Sequence, residues 1–398
     1  MRNSLGRRLA LGTALGAVLC SPAAAAWDDW SVAPLTGFAG DLAYSVGGQA
    51  YGSAFDADQP SGPFGKVSAT GAAALKASLQ RDYDSGLSLA VKGTFELYHD
   101  DLSSDNYGGD LLAKLYGTAQ TGLGRIDVGM TDGAAYALAV TGPVVNGEVT
   151  IDNPNATFFR DPSTGAAFIN VFALNSAVES SLNYAKVSYY TPRLFGVQLA
   201  ASFTPSEGKD VLPFLNNGPA GPNRQKSLWE GALNYSDSFG PITLQAYAGI
   251  TVGHGDRKTV GHAGLTDWGA GGEADWDIDD DTKLAVGGAF RQANTYAFDI
   301  NNALASGATR SLHLSTVLSR GAWSLGGEFG TGNADGALGL ADLGVHAYEI
   351  DAAYAVNANL QLSGGWQKLH YTRDIGTFYN GAPRVEMDAV FLHAVVNI

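Results

Sequence analysis

Two acidic groups, Asp100/Asp101 and the run Asp279-Asp280-Asp281, are the first residues to weigh for chemistry. Two carboxyl groups held across a cleft can hydrolyse a glycosidic bond. Both groups sit in connections rich in turn residues, where a carboxylate is ordinarily a solvated charge. His254 and His262 share one connection. A zinc site needs three or four ligands, and no third residue stands at a convincing spacing. The glycine-rich pieces 269–272 and 285–288 lie inside alternating segments and open no helix, so they are not phosphate loops. They read as places where a wall is thin or bends. No catalytic residue, metal site or cofactor is expected.

Lys76, Lys92 and Lys114 make a different pattern. Each falls on the polar parity of its own alternating segment. Lys76 and Lys92 flank the turn at Asp84-Ser85 almost symmetrically, which predicts cross-strand neighbours. Lys114 stands at a similar height before its own turn. Three like charges at one level repel one another, so the arrangement calls for counter-charges opposite.

The elements that position them are strands. Period-two alternation recurs along the chain. In 87–98, one face reads Leu87, Leu89, Val91, Gly93, Phe95, Leu97 and the other Ser88, Ala90, Lys92, Thr94, Glu96, Tyr98. Segments such as 69–80, 111–120, 197–204, 242–251, 268–278 and 284–291 repeat the pattern. Eight long connections (56–66, 99–110, 132–182, 205–227, 252–265, 294–309, 330–345, 370–384) alternate with seven short ones (83–86, 121–124, 191–196, 236–241, 279–282, 319–322, 355–359). Fifteen connections join sixteen strands. Short turns on one rim and long loops on the other predict an all-β transmembrane antiparallel barrel with short periplasmic turns and long extracellular loops. Trp229, Tyr235, Phe239, Trp268, Trp276, Trp323, Phe329, Tyr354, Trp366 and Phe391 fall near strand ends or on the apolar parity, as interfacial girdles do. A soluble sandwich of this length would need two domains, and no linker divides the chain. A propeller would repeat at a blade period, and none is found. A secreted, soluble, β-rich carbohydrate-binding protein is the different-class alternative.

The connection 131–182 is too long for an irregular loop without a task. It mixes apolar pieces, turn pieces and charges, which predicts a loop packed on one side and wet on the other, folded into the lumen.

The N-terminus supplies the compartment. Arg2, Arg7 and Arg8 precede the apolar run 9–19, and the small residues 23–26 follow. These are the parts of a secretory signal peptide, 1–26, leaving 27–398 as the barrel. Cys20 is the single cysteine and lies in that leader, so the mature chain has no thiol or disulfide chemistry. Removing the three arginines takes the net charge from −15 to −18. An acidic chain offers no basic surface for nucleic acid.

The piece 183–205 (NYAKVSYYTPRLFGVQLAASFTP) resembles the hairpin that follows the third loop of the trimeric general porins of Gram-negative outer membranes, in their alphaproteobacterial form. The piece 122–129 (GLGRIDVG) is similar to that family's short strand before the loop. The chain ends at Ile398, where the family usually has Phe. The resemblance implies a homotrimer in the lipid bilayer of the outer membrane. It also implies a water-filled channel passing ions and small hydrophilic solutes by diffusion. It further implies that acids on loop three face basic residues on the opposite wall. Glu148, Asp152 and Asp161 are the candidate acids, facing Lys76, Lys92 and Lys114. Arg125 and Arg291, with Arg160 and Lys186, are candidates to add to the basic wall. The net charge favours cations. A sugar-selective channel, using Tyr98, Tyr116, Tyr190 and Tyr247 as an aromatic track, is the alternative.

Overall fold

The computed structural model describes residues 35–58, 67–100, 112–152, 174–206, 225–255, 264–294, 308–334, 343–374 and 381–397. The signal segment, Arg160, Asp161, His262, Ile398 and most of the long connections lie outside the described residues.

Alternating residues make strands because successive side chains leave a strand on opposite faces. The described strands are β1 (Leu35–Ala39), β2 (Leu42–Asp58), β3 (Val67–Asp82), β4 (Ser88–Asp100), β5 (Leu112–Thr121), β6 (Gly124–Met130), β7 (Ala185–Tyr190), β8 (Val197–Ser206) and β9 (Gln225–Phe239). They continue with β10 (Ile242–Gly255), β11 (Thr266–Asp277), β12 (Thr282–Ala293), β13 (Thr309–Arg320), β14 (Trp323–Ala334), β15 (Leu343–Ala355), β16 (Leu360–Arg373) and β17 (Arg384–Asn397). From β2 onward every strand pairs antiparallel with the next, and β17 returns to pair with β2. The result is a closed barrel of sixteen strands, β2–β17. Among the described residues, closure gives every barrel strand from β2 to β17 a neighbour on both sides, as a hydrocarbon environment demands. One helical turn, α1 (Ala134–Ala137), follows β6.

The count of sixteen matches the barrel, but β1 is additional. Its five residues pair with the lower half of β2, Leu35 against Val46 through Ala39 against Leu42. The upper half of β2, Gln49 to Asp58, pairs with β17. The first and last described segments thus share one lane beside β2. Leu35–Ala39 is short and unpatterned, so alternation could not reveal it.

The two faces divide as the parity predicts. Leu97, Val128, Ile350 and Leu392 point outward and are exposed. Thr94, Ser188, Glu349 and Gln367, on the other parity, are buried inside. Ring pairs ring the outer surface near both rims. Phe203 lies 4.5 Å from Trp229 and Trp268 lies 5.3 Å from Phe290 on the long-loop side, and Trp323 lies 4.7 Å from Tyr354 on the short-turn side. Trp268 and Trp276 bound the same strand, roughly 26 Å apart at ~3.3 Å per residue. Tilted by ~40°, that spacing approaches the ~25 Å apolar band of such barrels. Phe391 departs from the girdle. It faces inward, is buried, and packs with Phe55, Leu369 and Met387, because β17 turns that parity toward the lumen.

Short turns on one rim need left-handed residues, and Gly240 (φ +64°) and Gly321 (φ +58°) supply them.

Candidate functional site

The connection after β6 leaves the wall at Thr131 and follows the inner surface of the barrel. Ala134 and Leu138 pack with Tyr190, Ala200 and Ala232. Ala139, Val140 and Ala177 pack on Tyr247. Val145 meets Val317 and Ala353. Val149, Ile151 and Leu174 join Phe55, Val345, Leu369 and Tyr371. In order along the chain, these contacts pass from β7 to the β17–β2 seam, and 174–182 runs back.

Polar contacts trace the same course. Asn234 Nδ2 donates to the Leu138 carbonyl at 3.1 Å. His313 Nδ1 lies 2.9 Å from the Thr141 carbonyl. Asn146 Nδ2 donates to Asp351 at 3.0 Å. Thr150 Oγ1 donates to Glu328. Glu148 accepts from Gln49 Nε2 at 2.9 Å, on β2. On the way back, Ser311 Oγ donates to the Asn175 carbonyl at 2.5 Å and Ser180 Oγ donates to Asp267 at 2.5 Å.

Glycines clear the path. A Cβ on Gly287 would stand 3.0 Å from both Gly142 Cα and Pro143 Cδ. One on Gly330 would stand 3.1 Å from Ile151 and 3.2 Å from Leu174. One on Gly249 would stand 3.1 Å from Ala135. The wall is thin there because a second layer of chain lies on it.

The lumen carries opposite charges on two sides. Lys76, Lys92 and Lys114 share one face of β3–β5. The register sets Lys76 and Lys114 on either side of Thr94, and Lys92 opposite Ser78 and Tyr116. Lys76 and Lys92 are therefore diagonal rather than directly paired, because the turn between them places Ser78, not Lys76, opposite Lys92. Lys114 pairs with Asp132 at 2.6 Å. The Lys92 ammonium lies 5.9 Å from the Tyr116 ring centroid. Arg125 pairs with Asp127 at 3.1 Å and its guanidinium stacks 4.2 Å from the Tyr190 ring.

Across the barrel, Glu230, Asp267, Glu273, Asp275, Glu328, Glu349 and Asp351 face inward from β9–β15 and are buried. The connection covers part of this acidic wall, capping Glu328, Asp351 and Asp267 with its own donors. On the lysine side its start reaches Lys114 through Asp132, Lys76 is buried, and Lys92 is partly exposed. Reading for loop acids passed over the strand acids, although Glu273 and Asp275 already stood on the polar parity of 268–278. The acids that the connection does cap, Glu328, Asp351 and Asp267, meet donors far away in sequence.

The other candidates have different partners. Asp152 turns back to Ser176, accepting from its backbone N–H at 2.7 Å and from Oγ at 2.9 Å. Burial pushes the Asp152 carboxyl up, against the pull of His313. Glu148 reaches the seam, with His393 Nε2 3.8 Å away. Arg291 forks onto Asp267 on its own wall, with both nitrogens at 2.9 Å. Lys186 binds backbone carbonyls at the two ends of the connection. Tyr190 and Tyr247 are 3% exposed, and Tyr116 lies against Lys92, so these three do not form an open aromatic track.

The comparisons agree with this architecture. A family model described as Gram-negative porin matches residues 11–374. Among solved structures, the anion-selective porin from Comamonas acidovorans is 12% identical at a TM-score of 0.57, covering 90% of this chain and 100% of that one. The outer membrane channel DcaP of Acinetobacter baumannii is 13% identical at 0.58, covering 92% and 100%. OmpT of Vibrio cholerae, in its trimer form, is 13% identical at 0.55, covering 90% and 100%. No curated protein matches the chain. With the family model spanning nearly the whole barrel, the chain belongs to the Gram-negative porin family.

Proposed function

We propose that this outer-membrane diffusion channel is narrowed by the connection 131–182, with permeation confined between that loop and the lysine wall of β3–β5. The supporting observation is the placement of charge. The acids of β9–β15 face inward and several are capped by loop donors, whereas Lys92 and Arg125 remain partly exposed on the open side. A field thus crosses the passage from the lysine side to the covered acidic side, and it orients dipolar solutes as they pass. Passage is down the gradient and makes no bond, so the channel acts without catalysis. Among the described loop acids, Asp132 pairs with Lys114 of the basic wall, Glu148 sits beside β2, and Asp152 is a tie within the loop.

Selectivity at the narrowing follows the exposed charges, not the total. The mature net charge of −18 is not the charge of the passage; with Lys92 and Arg125 partly exposed there, the passage leans toward anions. Planar-bilayer recording in asymmetric KCl tests this directly. A reversal potential directed by chloride is expected, and one directed by potassium overturns the anion preference. The signal segment 1–26 directs export and is removed. The short turns face the periplasm, the long loops face outward, and three copies assemble, as in the family. Mass spectrometry of the mature N-terminus and heat-modifiable migration on gels check these points.

A further inference from the structure

We propose that Lys186 is a positioning residue that sets how the connection 131–182 enters the lumen, by gathering both of its ends on one ammonium group. Its Nζ donates to the Thr131 carbonyl at 2.6 Å, where the loop leaves β6, and to the Ser181 carbonyl at 3.2 Å and the Leu182 carbonyl, where the loop returns. An ammonium has three donors, and all three are spent on backbone oxygens. The side chain is 3% exposed, and it stands opposite Gly129 on the neighbouring strand. Charge-assisted bonds of this kind are roughly twice as strong as neutral ones.

The surroundings fit a neck rather than a lining charge. Leu182 is held at φ +41°, in the left-handed region that a leucine adopts only when its surroundings enforce it. Its N–H donates to the Glu179 carbonyl at 2.8 Å and its carbonyl faces Lys186. Two further ties fix the same neck to β5: Lys114 pairs with Asp132 at 2.6 Å, and Asn183 Nδ2 donates to the Ala113 carbonyl. Asp132 and Glu230 supply the negative charge around the buried ammonium, and Lys114 the positive.

The proposal rests on reading the loop as the narrowing, and two readouts separate them. Loop position is read by disulfide formation between Val145→Cys and Gly326→Cys, residues in contact across loop and wall. Narrowing is read by single-channel conductance and open-state noise. In Lys186→Met, crosslinking is expected to slow several-fold and noise to rise several-fold. A second disulfide joining Thr131→Cys to Leu182→Cys restores both. Unchanged crosslinking in a folded, heat-modifiable K186M barrel overturns the proposal. Slowed crosslinking with unchanged conductance keeps the clamp and sinks the reading of the loop as the narrowing. If K186M does not fold, Lys186→Gln, which keeps two donors, carries the same measurements. If neither folds, the neck disulfide in K186Q decides: recovered barrels support the gathering of the two ends, and none overturns it.

Discussion

Asp152 binds Ser176 twice, through its backbone N–H at 2.7 Å and its hydroxyl at 2.9 Å, and so ties the outgoing leg of the lumenal loop to the returning one. Each such bond to a charged group contributes about 1.5–3 kcal/mol. Asp152→Ala is expected to loosen the loop and raise open-channel noise. Because the carboxyl faces the loop itself, D152A leaves the reversal potential almost unmoved. A shift in D152A as large as that of Glu148→Gln would return Asp152 to the passage.

The lysines of β3–β5 should act one by one. Lys76→Gln, Lys92→Gln and Lys114→Gln each remove one positive charge from the same face. Reversal potentials in asymmetric KCl are expected to move toward cations in every case. Glu148→Gln moves them the opposite way. The shifts shrink as ionic strength rises from 0.1 M to 1 M, where the screening length falls from ~10 Å to ~3 Å. Lys114→Gln carries an added cost, because Asp132 loses its partner at 2.6 Å.

Glu179 makes loop docking depend on pH. It accepts from Asn175 Nδ2 at 2.6 Å and is buried. Burial pushes its carboxyl from 4.5 up to about 7; Arg291 pulls it down, and Asp267, Asp152 and Asp132 push it further up. The docked loop therefore holds this proton more tightly than the undocked one. Docking stability from this group is full below about pH 4.5, falls as pH rises to about 7, and is flat above. The span corresponds to about 3 kcal/mol. Asp152, also pushed up by burial, adds in the same direction. Amide exchange across 134–152, corrected for intrinsic rates, is expected to be slower at pH 5 than at pH 8. Glu179→Gln flattens the dependence, and an unaltered profile in E179Q assigns it to other groups.

Gly287 tests the layer of chain on the wall. A Cβ there meets the Gly272 carbonyl of the adjacent strand at 2.6 Å and, on the loop, Gly142 and Pro143 at 3.0 Å. Gly287→Val is expected to lift the loop from β12 at a cost of about 1–3 kcal/mol, as overpacking does. The displaced loop moves toward the lysines, so conductance falls. Gly240→Val, at a short turn with open space around it, alters stability through φ alone and leaves conductance unchanged.

Much of the barrel was legible because one physical rule, alternation, is local. Leu89, Val91 and Leu97 point outward and Thr94 inward, as their parity predicts. The long connection was legible from its length. Its attachments were not. Asn146 reaches Asp351 and Thr150 reaches Glu328 across separations of 205 and 178 residues, and no local pattern encodes such a meeting. The glycines of 269–272 and 285–288 did signal a thin wall, but not that other chain fills the space. The same limit explains Arg291. Its inward parity was readable, whereas its fork onto Asp267 depends on the diagonal offset between β11 and β12.

The shared lane beside β2 has a consequence for how the protein is made. The strand that begins the barrel waits for a partner from the far end of the chain, so the seam is the most costly pairing to close in entropy, although that cost grows only slowly with length. Until β17 arrives, β2 offers an open edge, the kind that recruits other chains. Leu35–Ala39 covers the lower five residues of that edge from the outset by a local hairpin. It primes the final zipper from one end, and β17 has only the remaining stretch, Gln49 to Asp58, to complete.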